Sequence, residues 1–316
     1  MKPAVLEQRP QQLLLGYTRP AIPDPLPASI HLYSVDNPLR RERPVATVIA
    51  LVPDAAIGYS YVMSVIRADP TTWPWAKTAI GFRPEFLDFS RGIRVGNLEP
   101  HERITRILKS ALEARYRQEF VTERWGRGVH WQWIGFLNRA NRTAKPQSSG
   151  VSFGCSKFFV SMDTDDRRFT CGMQVERGYV RATPDERRFR LCSDWDWHRL
   201  VAGLTPRGEL YREFKRLAGE EQFEVRVGSW SDPSVFGGAV SRGKTHRASA
   251  RGLPGALSLR ALLEQASATE WCGVQVYFPL TEDDVKAMSG LDLVEAMMAV
   301  FEEVRPAMNR CMQVPV

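Results

Sequence analysis

The sequence has no hydrophobic run long enough to cross a membrane as a helix. Its longest clearly apolar run, residues 45–52, falls far short of the ~18 residues that such a helix needs. The first residues also lack the continuous apolar segment of a signal peptide, because Glu7, Arg9 and Pro10 precede only a brief run of leucines. The sequence therefore predicts a soluble protein that stays in the cytoplasm and has no membrane partner.

Cysteine is scarce and irregularly spaced. The chain of 316 residues has five cysteines, and none of them forms a C-x-x-C pair. Since the count is odd and the spacing uneven, neither a disulfide scaffold nor a structural zinc site is predicted. Cys155, Cys171 and Cys272 lie in apolar, strand-like runs, where a free cysteine packs as a small hydrophobic residue. No metal or cofactor is expected from these residues.

Acidic residues are missing from two stretches, although the whole chain holds 43 Lys and Arg against 36 Asp and Glu, a net charge of +7. Residues 124–162 contain no acid, and neither do residues 237–252. Their cations are Arg124, Arg127, Arg139, Arg142, Lys145 and Lys157 in the first stretch, and Arg242, Lys244, Arg247 and Arg251 in the second. A positive field of this kind attracts polyanions, whereas solvated charge on an ordinary surface is the commoner cause.

The distribution of proline divides the chain. Residues 1–44 hold eight prolines, and because proline fixes φ and removes a backbone donor, this segment is predicted to be an extended arm. A strand pair at residues 45–52 and 59–66 marks a predicted N-terminal subdomain of residues 45–98. The main domain is predicted to span residues 99–316.

A β-hairpin is the clearest local prediction in the main domain. Phe158 and the apolar residues two and four positions later alternate, and a second alternating run follows an aspartate-rich turn and ends at residue 175. One face of this hairpin must be buried, because its apolar residues keep a period of two. Phe159 is out of phase with Phe158 and is predicted to face the opposite side of the sheet.

Apolar periodicity predicts several helices and further strands around this hairpin. A helix is predicted at residues 104–116, where apolar residues recur at spacings of three and four. Residues 129–137, which contain two tryptophans, are interpreted as a short helix. Strands and helices alternate without a βαβ rhythm, so the predicted fold is α+β, with a largely antiparallel central sheet flanked by helices.

The second half of the chain has a recognisable order of short patterns. A glycine-rich strand edge at residues 169–178 is followed by helices and the loop Arg251-Gly252-Leu253-Pro254-Gly255. The strand at residues 274–278 leads into Leu280-Thr281-Glu282-Asp283, and a final helix ends near Val304-Arg305-Pro306. Over about residues 145–312 the chain resembles the bacterial family known as domain of unknown function 2461. The resemblance implies the α+β fold and a bacterial source, and it brings no catalytic residues with it.

The spelling of a P-loop, G-x-x-x-x-G-K-[ST], occurs at residues 238–245. In a nucleotide-binding P-loop the glycines bring backbone N–H groups onto the phosphates, and a following helix adds its dipole. Here residues 232–236 lack the pattern of a buried strand, and residues 246–255 hold two glycines and a proline without an apolar stripe. A cationic loop is therefore favoured over a nucleotide site.

A second motif places Asp194, Asp196 and His198 at alternate positions, which is the spacing of a divalent-metal site if the segment is a strand. If the segment is instead the start of a helix, Ser193 and Asp196 form a capping box ahead of an apolar stripe. The helix start is favoured, because a single imidazole stands without a second ligand cluster.

Tryptophans interleave with cations in the first acid-free stretch, and this mixture suits nucleic acid. Aromatic faces stack on bases while arginine pairs with phosphate. The predicted polyanion-binding residues are Arg124, Arg127, Trp131, Arg139, Arg142, Lys145, Arg242, Lys244, Arg247 and Arg251. The alternative is a core helix whose tryptophans are buried and whose arginines cover its edge.

Three functions remain open from the residues alone. The first is a non-catalytic binding protein for nucleic acid or another polyanion. The second is an enzyme or small-molecule binder with a cleft beside the sheet, and the third is a subunit of a larger assembly that binds a protein partner through the proline-rich arm. A steep fall of affinity with salt marks the first function, and a deep pocket with convergent acids marks the second.

Overall fold

The computed structural model describes residues 81–144, 155–177, 196–238, 252–266 and 270–316, and the backbone of residues 50–52 and 60–62. Strands β1 (Ala50–Val52) and β2 (Ser60–Val62) pair antiparallel, with Leu51 opposite Tyr61. This pairing confirms the predicted strand pair in the residues that are described. The predicted proline-rich arm, residues 1–44, lies outside them.

The other described strands form one nine-stranded sheet. In chain order they are β3 (Leu87–Asp88), β4 (Gly92–Arg94), β5 (Phe120–Arg127), β6 (His130–Asn138), β7 (Ser156–Asp163), β8 (Arg168–Glu176), β9 (Glu224–Ser229), β10 (Pro233–Gly237) and β11 (Cys272–Thr281). The described α-helices are α1 (Ile104–Tyr116), α2 (Arg139–Thr143), α3 (Asp196–Gly203), α4 (Glu209–Gly219), α5 (Ala256–Gln265), α6 (Glu282–Ala287) and α7 (Gly290–Cys311).

Every strand pair in this sheet is antiparallel. The strand order is β10-β9-β11-β8-β7-β6-β4-β3, and β5 pairs with β6 outside this path. The long strands β11, β8 and β7 therefore lie at the centre. The predicted α+β fold with a large antiparallel sheet is confirmed.

The central hairpin β7–β8 has the predicted position and turn. Phe158 lies opposite Met173, and the backbone N–H groups of Asp165 and Asp166 each donate to Asp163 Oδ1 at 3.0 Å. A short side chain that accepts backbone hydrogen bonds in this way is what makes aspartate a good turn former. The aspartates of this turn are thus structural.

The two faces of the sheet differ in what covers them. Phe158 belongs to the main apolar cluster, which holds buried side chains of α1 and α3–α7, and its ring centroid lies 4.8 Å from that of Phe301 in α7. Phe159 and Tyr277 are also buried but lie outside that cluster, with ring centroids 6.3 Å apart. Phe159 therefore faces away from the helices, as predicted. We call the two sides the helix-covered face and the second face.

Helix α7 covers the centre of the sheet and begins at a capping box. Ser289 Oγ accepts from Asp292 N–H at 3.2 Å, and Asp292 Oδ2 accepts from Ser289 N–H at 3.1 Å. Two orphan donors of the first turn are satisfied in this way, so the start of the helix is fixed. Among the described residues no helix is both long and apolar enough to cross a bilayer.

The helix predicted at residues 129–137 is wrong, because β6 occupies His130–Asn138. Ile134 is buried on the helix-covered face, whereas Trp133 lies on the second face, so this strand is apolar on both sides. Gln132 is an extra residue without a partner on β5, since Trp125 pairs with Trp133 and Gly126 pairs with Trp131. Such a bulge interrupts the period of two that identifies a strand in a sequence.

The main sheet begins before residue 99, where the sequence placed the start of the main domain. Strands β3 and β4 pair with each other, and β4 pairs with β6 through Ile93 opposite Trp131. Residues 87–94, which were predicted to lie in the N-terminal subdomain, therefore form one end of the nine-stranded sheet.

Phe169→Ala tests the assignment of the central hairpin to the core. The ring is fully buried, so its removal should lower the free energy of unfolding by about 3–5 kcal/mol. The matched control is Thr170→Ala, one residue along on the second face, which should cost less than about 1 kcal/mol. Urea unfolding followed by circular dichroism measures both, and equal costs would contradict the assignment.

Candidate functional site

The hairpin β5–β6 replaces the predicted helix, and its tip has a fixed register. Gly126 has φ +139°, and a Cβ there would lie 2.6 Å from the Cα of Trp131. Only glycine accommodates both the positive φ and this close approach. The bulge at Gln132 keeps Trp125 opposite Trp133 and Arg127 opposite His130. Trp125 and Arg127 are two residues apart on one strand, so they lie on the same face.

Trp125 is the most exposed large hydrophobic side chain among the described residues, with 69% of its surface accessible. Its cross-strand partner Trp133 lies on the second face of the sheet, beside Ser161 of β7. Paired residues of an antiparallel ladder share a face. Trp125 and Arg127 therefore lie on the second face, away from the main apolar cluster.

A row of basic residues crosses three strands at this end of the sheet. His130 pairs with Arg127 on one side and with Arg94 of β4 on the other. Among the residues that the structure describes, neither arginine has a carboxylate within ion-pair distance. We call Trp125, Arg127, His130 and Arg94 the tip surface. Arg94 was not predicted, because it lies outside both acid-free stretches and joins the row only through strand pairing.

Arg124 and Trp131, both predicted to bind polyanions, contact each other. The Arg124 guanidinium lies 4.3 Å from the centroid of the Trp131 ring, and Trp131 Nε1–H donates to the carbonyl of Gly128 at 3.3 Å. Trp131 also packs partly against the main apolar cluster. One face of this indole is therefore covered by a cation, which leaves Trp125 as the exposed ring.

Arg139 and Arg142 lie at the other end of β6, about 25 Å from the tip at ~3.4 Å per strand residue. Each faces an acid from the preceding strand region: Arg139 Nε lies 2.8 Å from Glu119, and Arg142 Nε lies 4.0 Å from Glu123. The structure thus separates these arginines from Arg127. Residues 124–162 contain no acid, but the fold brings acidic side chains from before residue 124 into contact with them.

The remaining predicted polyanion-binding residues lie outside the described residues. They are Lys145, Arg242, Lys244, Arg247 and Arg251. The structure does describe what precedes the P-loop spelling, namely β10, a half-buried strand that pairs antiparallel with β9 at one end of the strand order. The sequence pattern had not indicated this strand. A P-loop follows a buried strand of a parallel sheet, so this context differs from that of a nucleotide site.

Asp196, considered above as a metal ligand, is fully buried at the start of α3. It accepts hydrogen bonds from Asn141 Nδ2 at 2.8 Å, from the backbone N–H of Ser156 at 2.5 Å and from that of Gln313 at 2.9 Å. The carboxylate therefore joins α2, β7 and the C-terminal segment. No group of three or more His, Cys, Asp or Glu side chains within the described parts of the chain is placed to hold a metal ion.

Lys157, the sixth cation of the first stretch, is buried on the second face and is not available to a polyanion. Its ammonium forms ion pairs with Glu176 and, at 3.1 Å, with Glu123. Burial by itself lowers the pKa of Lys157, but the two carboxylates more than offset it and hold the pKa above its ordinary value. A lysine that stays protonated is a structural cation rather than a nucleophile.

Hydrogen bonds connect this charged cluster to Trp133. Gln174 Nε2 donates to Glu176 at 2.6 Å, and Gln174 Oε1 accepts from Trp133 Nε1 at 3.2 Å and from Gln275 Nε2 at 2.7 Å. Trp133 also packs against Gly135, where a Cβ would collide with the indole. The cross-strand neighbour of Trp125 is therefore fixed by polar contacts at the centre of the sheet.

A groove of about 390 Å³ lies between α4 and α7, and its lining is mixed in charge. The lining residues are Glu209, Arg212, Glu213, Arg216, Glu220 and Arg310. Arg216 illustrates the balance, since it lies 3.2 Å from Glu213 and 2.9 Å from Glu303. With its arginines neutralised by carboxylates, the groove has neither the convergent acids of a catalytic cleft nor a net positive field.

Comparison with known proteins identifies no relative. A scan against protein-family models finds no match, and searches of curated proteins and of solved structures find none either.

Lys157→Met tests whether the buried cluster supports the fold. Removing the ammonium leaves Glu123 and Glu176 facing each other in a buried site, which should cost about 3–5 kcal/mol of unfolding free energy. Lys109→Met is the matched control, because the side chains of its ion pair with Glu113 are 38% and 33% exposed, and the pair should contribute less than about 0.5 kcal/mol. Chemical unfolding of both variants gives the difference. A loss as small as that of the control would show that the cluster is not structural.

Proposed function

We propose that this chain is a non-catalytic binding protein for nucleic acid or another polyanion, and that the tip surface is the contact. The observation that carries the proposal is the exposed ring of Trp125 beside a row of basic residues. Arg127 is exposed, and the partly exposed Arg94 and His130 continue the row across neighbouring strands. The Arg94 guanidinium also lies 5.9 Å from the centroid of the Phe86 ring. The row of basic residues beside Trp125 is formed only when strands β4, β5 and β6 pair.

Exposure of the indole is the first support. Tryptophan is enriched at interfaces, because its ring offers a large apolar contact area while its N–H keeps a hydrogen bond. The hairpin that presents it is long and well paired, with eight residues in β5 and nine in β6. The ring therefore sits on a rigid element, which lowers the entropy that binding must overcome.

Charge is the second support. Arg94 and Arg127 have no carboxylate partner among the described residues, unlike Arg139 and Arg142. Unpaired arginines contribute to a positive potential that extends about one Debye length, ~8 Å at physiological salt. The cations of the glycine-rich stretch, Arg242, Lys244, Arg247 and Arg251, remain predicted as a second contact on sequence grounds alone.

A salt titration tests the proposal. We expect the full-length chain to bind oligonucleotides with an affinity that falls steeply with salt, because neutralising phosphates releases counterions. The double substitution Arg94→Gln and Arg127→Gln should flatten the log–log slope for single strands by about 0.7 for each phosphate that the variant no longer neutralises. Fluorescence anisotropy at several salt concentrations measures the slope.

One control and one further test accompany this titration. Arg139→Gln removes an arginine that is already paired with Glu119, and should leave the slope unchanged. Neutralising Arg242, Lys244 and Arg247 together should flatten the salt slope if the second stretch contributes to binding. A folding defect would instead lower the fraction of active protein and leave the salt slope unchanged. Failure of the wild type to bind DNA or RNA at low salt would rule out the proposal.

A further inference from the structure

The tip surface has one feature that a purely electrostatic contact does not need, namely an exposed aromatic ring on the same face as its basic residues. Trp125 and Arg127 lie on one face of one strand, about 7 Å apart at ~3.4 Å per residue. Arginine side chains such as those of Arg127 and Arg94 pair with phosphate without the help of a ring. An exposed indole at this distance instead suits the base attached to a bound phosphate.

From this geometry we infer that the tip surface binds single-stranded nucleic acid, with Trp125 as the residue on which an unpaired base stacks. The inference rests on the proposed function and makes it more specific. In a duplex the faces of the bases are occupied by their neighbours, so an indole has no base face to contact unless the strands separate. A duplex can use the arginines of the tip surface but not the ring of Trp125.

The other tryptophans of the hairpin have different roles, which is why the inference names one residue. Trp131 is covered by the Arg124 guanidinium at 4.3 Å. Trp133 is held by Gln174 and lies 5.4 Å from the Lys157 ammonium, measured to the ring centroid. Both are partly buried, whereas Trp125 exposes 69% of its surface. Trp133, its cross-strand partner, packs against Gly135 of its own strand.

The register of the hairpin explains how the ring and the cations come to share a face. If Gln132 paired with β5 instead of bulging out, Trp131 would lie opposite Arg127, and His130 would lie on the face opposite to that of Trp125. With the bulge, Trp125 and the row of Arg127, His130 and Arg94 all lie on the second face. The bulge is thus the feature that assembles the tip surface.

The experiment compares three probes on the full-length chain: an oligothymidylate, a DNA duplex of the same length, and inorganic polyphosphate, which has no bases. Trp125→Ala should weaken binding of the single strand about tenfold, since one base stacked on an aromatic ring contributes about that factor. Its effect on duplex and polyphosphate should stay within about twofold. Trp125→Phe should recover most of the affinity, because the stacking face is kept.

The matched control is Leu257→Ala, which removes from α5 the other large hydrophobic side chain that is exposed in the described parts of the chain, with 62% of its surface accessible. It should leave binding of all three probes unchanged. Tryptophan fluorescence gives a second readout, because stacking of a base on Trp125 should quench the emission of the wild type and of Leu257→Ala but not that of Trp125→Ala.

The outcomes separate this inference from the proposed function. If all three probes bind but Trp125→Ala weakens none of them, or weakens polyphosphate as much as the single strand, base stacking is wrong and polyanion binding stands. If no probe binds at low salt, the proposed function fails, and the inference with it. A selective loss for the single strand, rescued by phenylalanine, supports both.

Discussion

The alternation of strands β7 and β8 is the constraint on which the rest of the structure depends. One side of this hairpin, represented by Phe158 and Met173, is buried beneath α7. The other side carries Lys157 and Gln174, which are equally buried but polar. A slip of one residue in the register would place an ammonium and an amide in the apolar cluster and move phenylalanine into a charged site. Both faces therefore specify the same pairing.

This constraint extends to the tip surface through β6. Four residues of β6, from Trp133 to Phe136, pair with β7, and the strand then continues past the bulge to pair with β4 and the end of β5. Because Trp133 is hydrogen-bonded to Gln174, the inner end of the hairpin is anchored to the polar cluster. Trp125 lies directly opposite Trp133 on the neighbouring strand β5, whose orientation is therefore determined by the core.

Local patterns were sufficient to predict the elements whose two faces differ in polarity. Helix α1 and the central hairpin belong to this group, since each has one apolar side and a clear period. Strand β6 could not be recognised in the same way, because it has apolar side chains on both faces and an unpaired Gln132. The strand pairing of residues 87–94 with β6 is a long-range contact that no local pattern encodes.

In the candidate site, too, the sequence predicted which residue types are present but not which side chains meet after folding. The sequence identified a basic, tryptophan-containing stretch, and Arg127 of that stretch lies on the tip surface. It missed that Glu119 and Glu123, which precede the stretch, pair with Arg139 and Arg142. It also counted Lys157 among the cations of the stretch, whereas the lysine is buried and paired with two carboxylates. Charge counted along a chain does not reveal which charges neutralise one another after folding.

Photocrosslinking tests the central claim most directly, because it maps a contact instead of inferring it from affinity. The full-length chain would be irradiated with a single-stranded oligonucleotide that contains 5-iodouracil, and the crosslinked residues would be identified by mass spectrometry. The account predicts that Trp125 is the main crosslinked residue, with little crosslinking at Trp131. Crosslinks confined to the groove between α4 and α7, near Arg212 and Arg310, would contradict it.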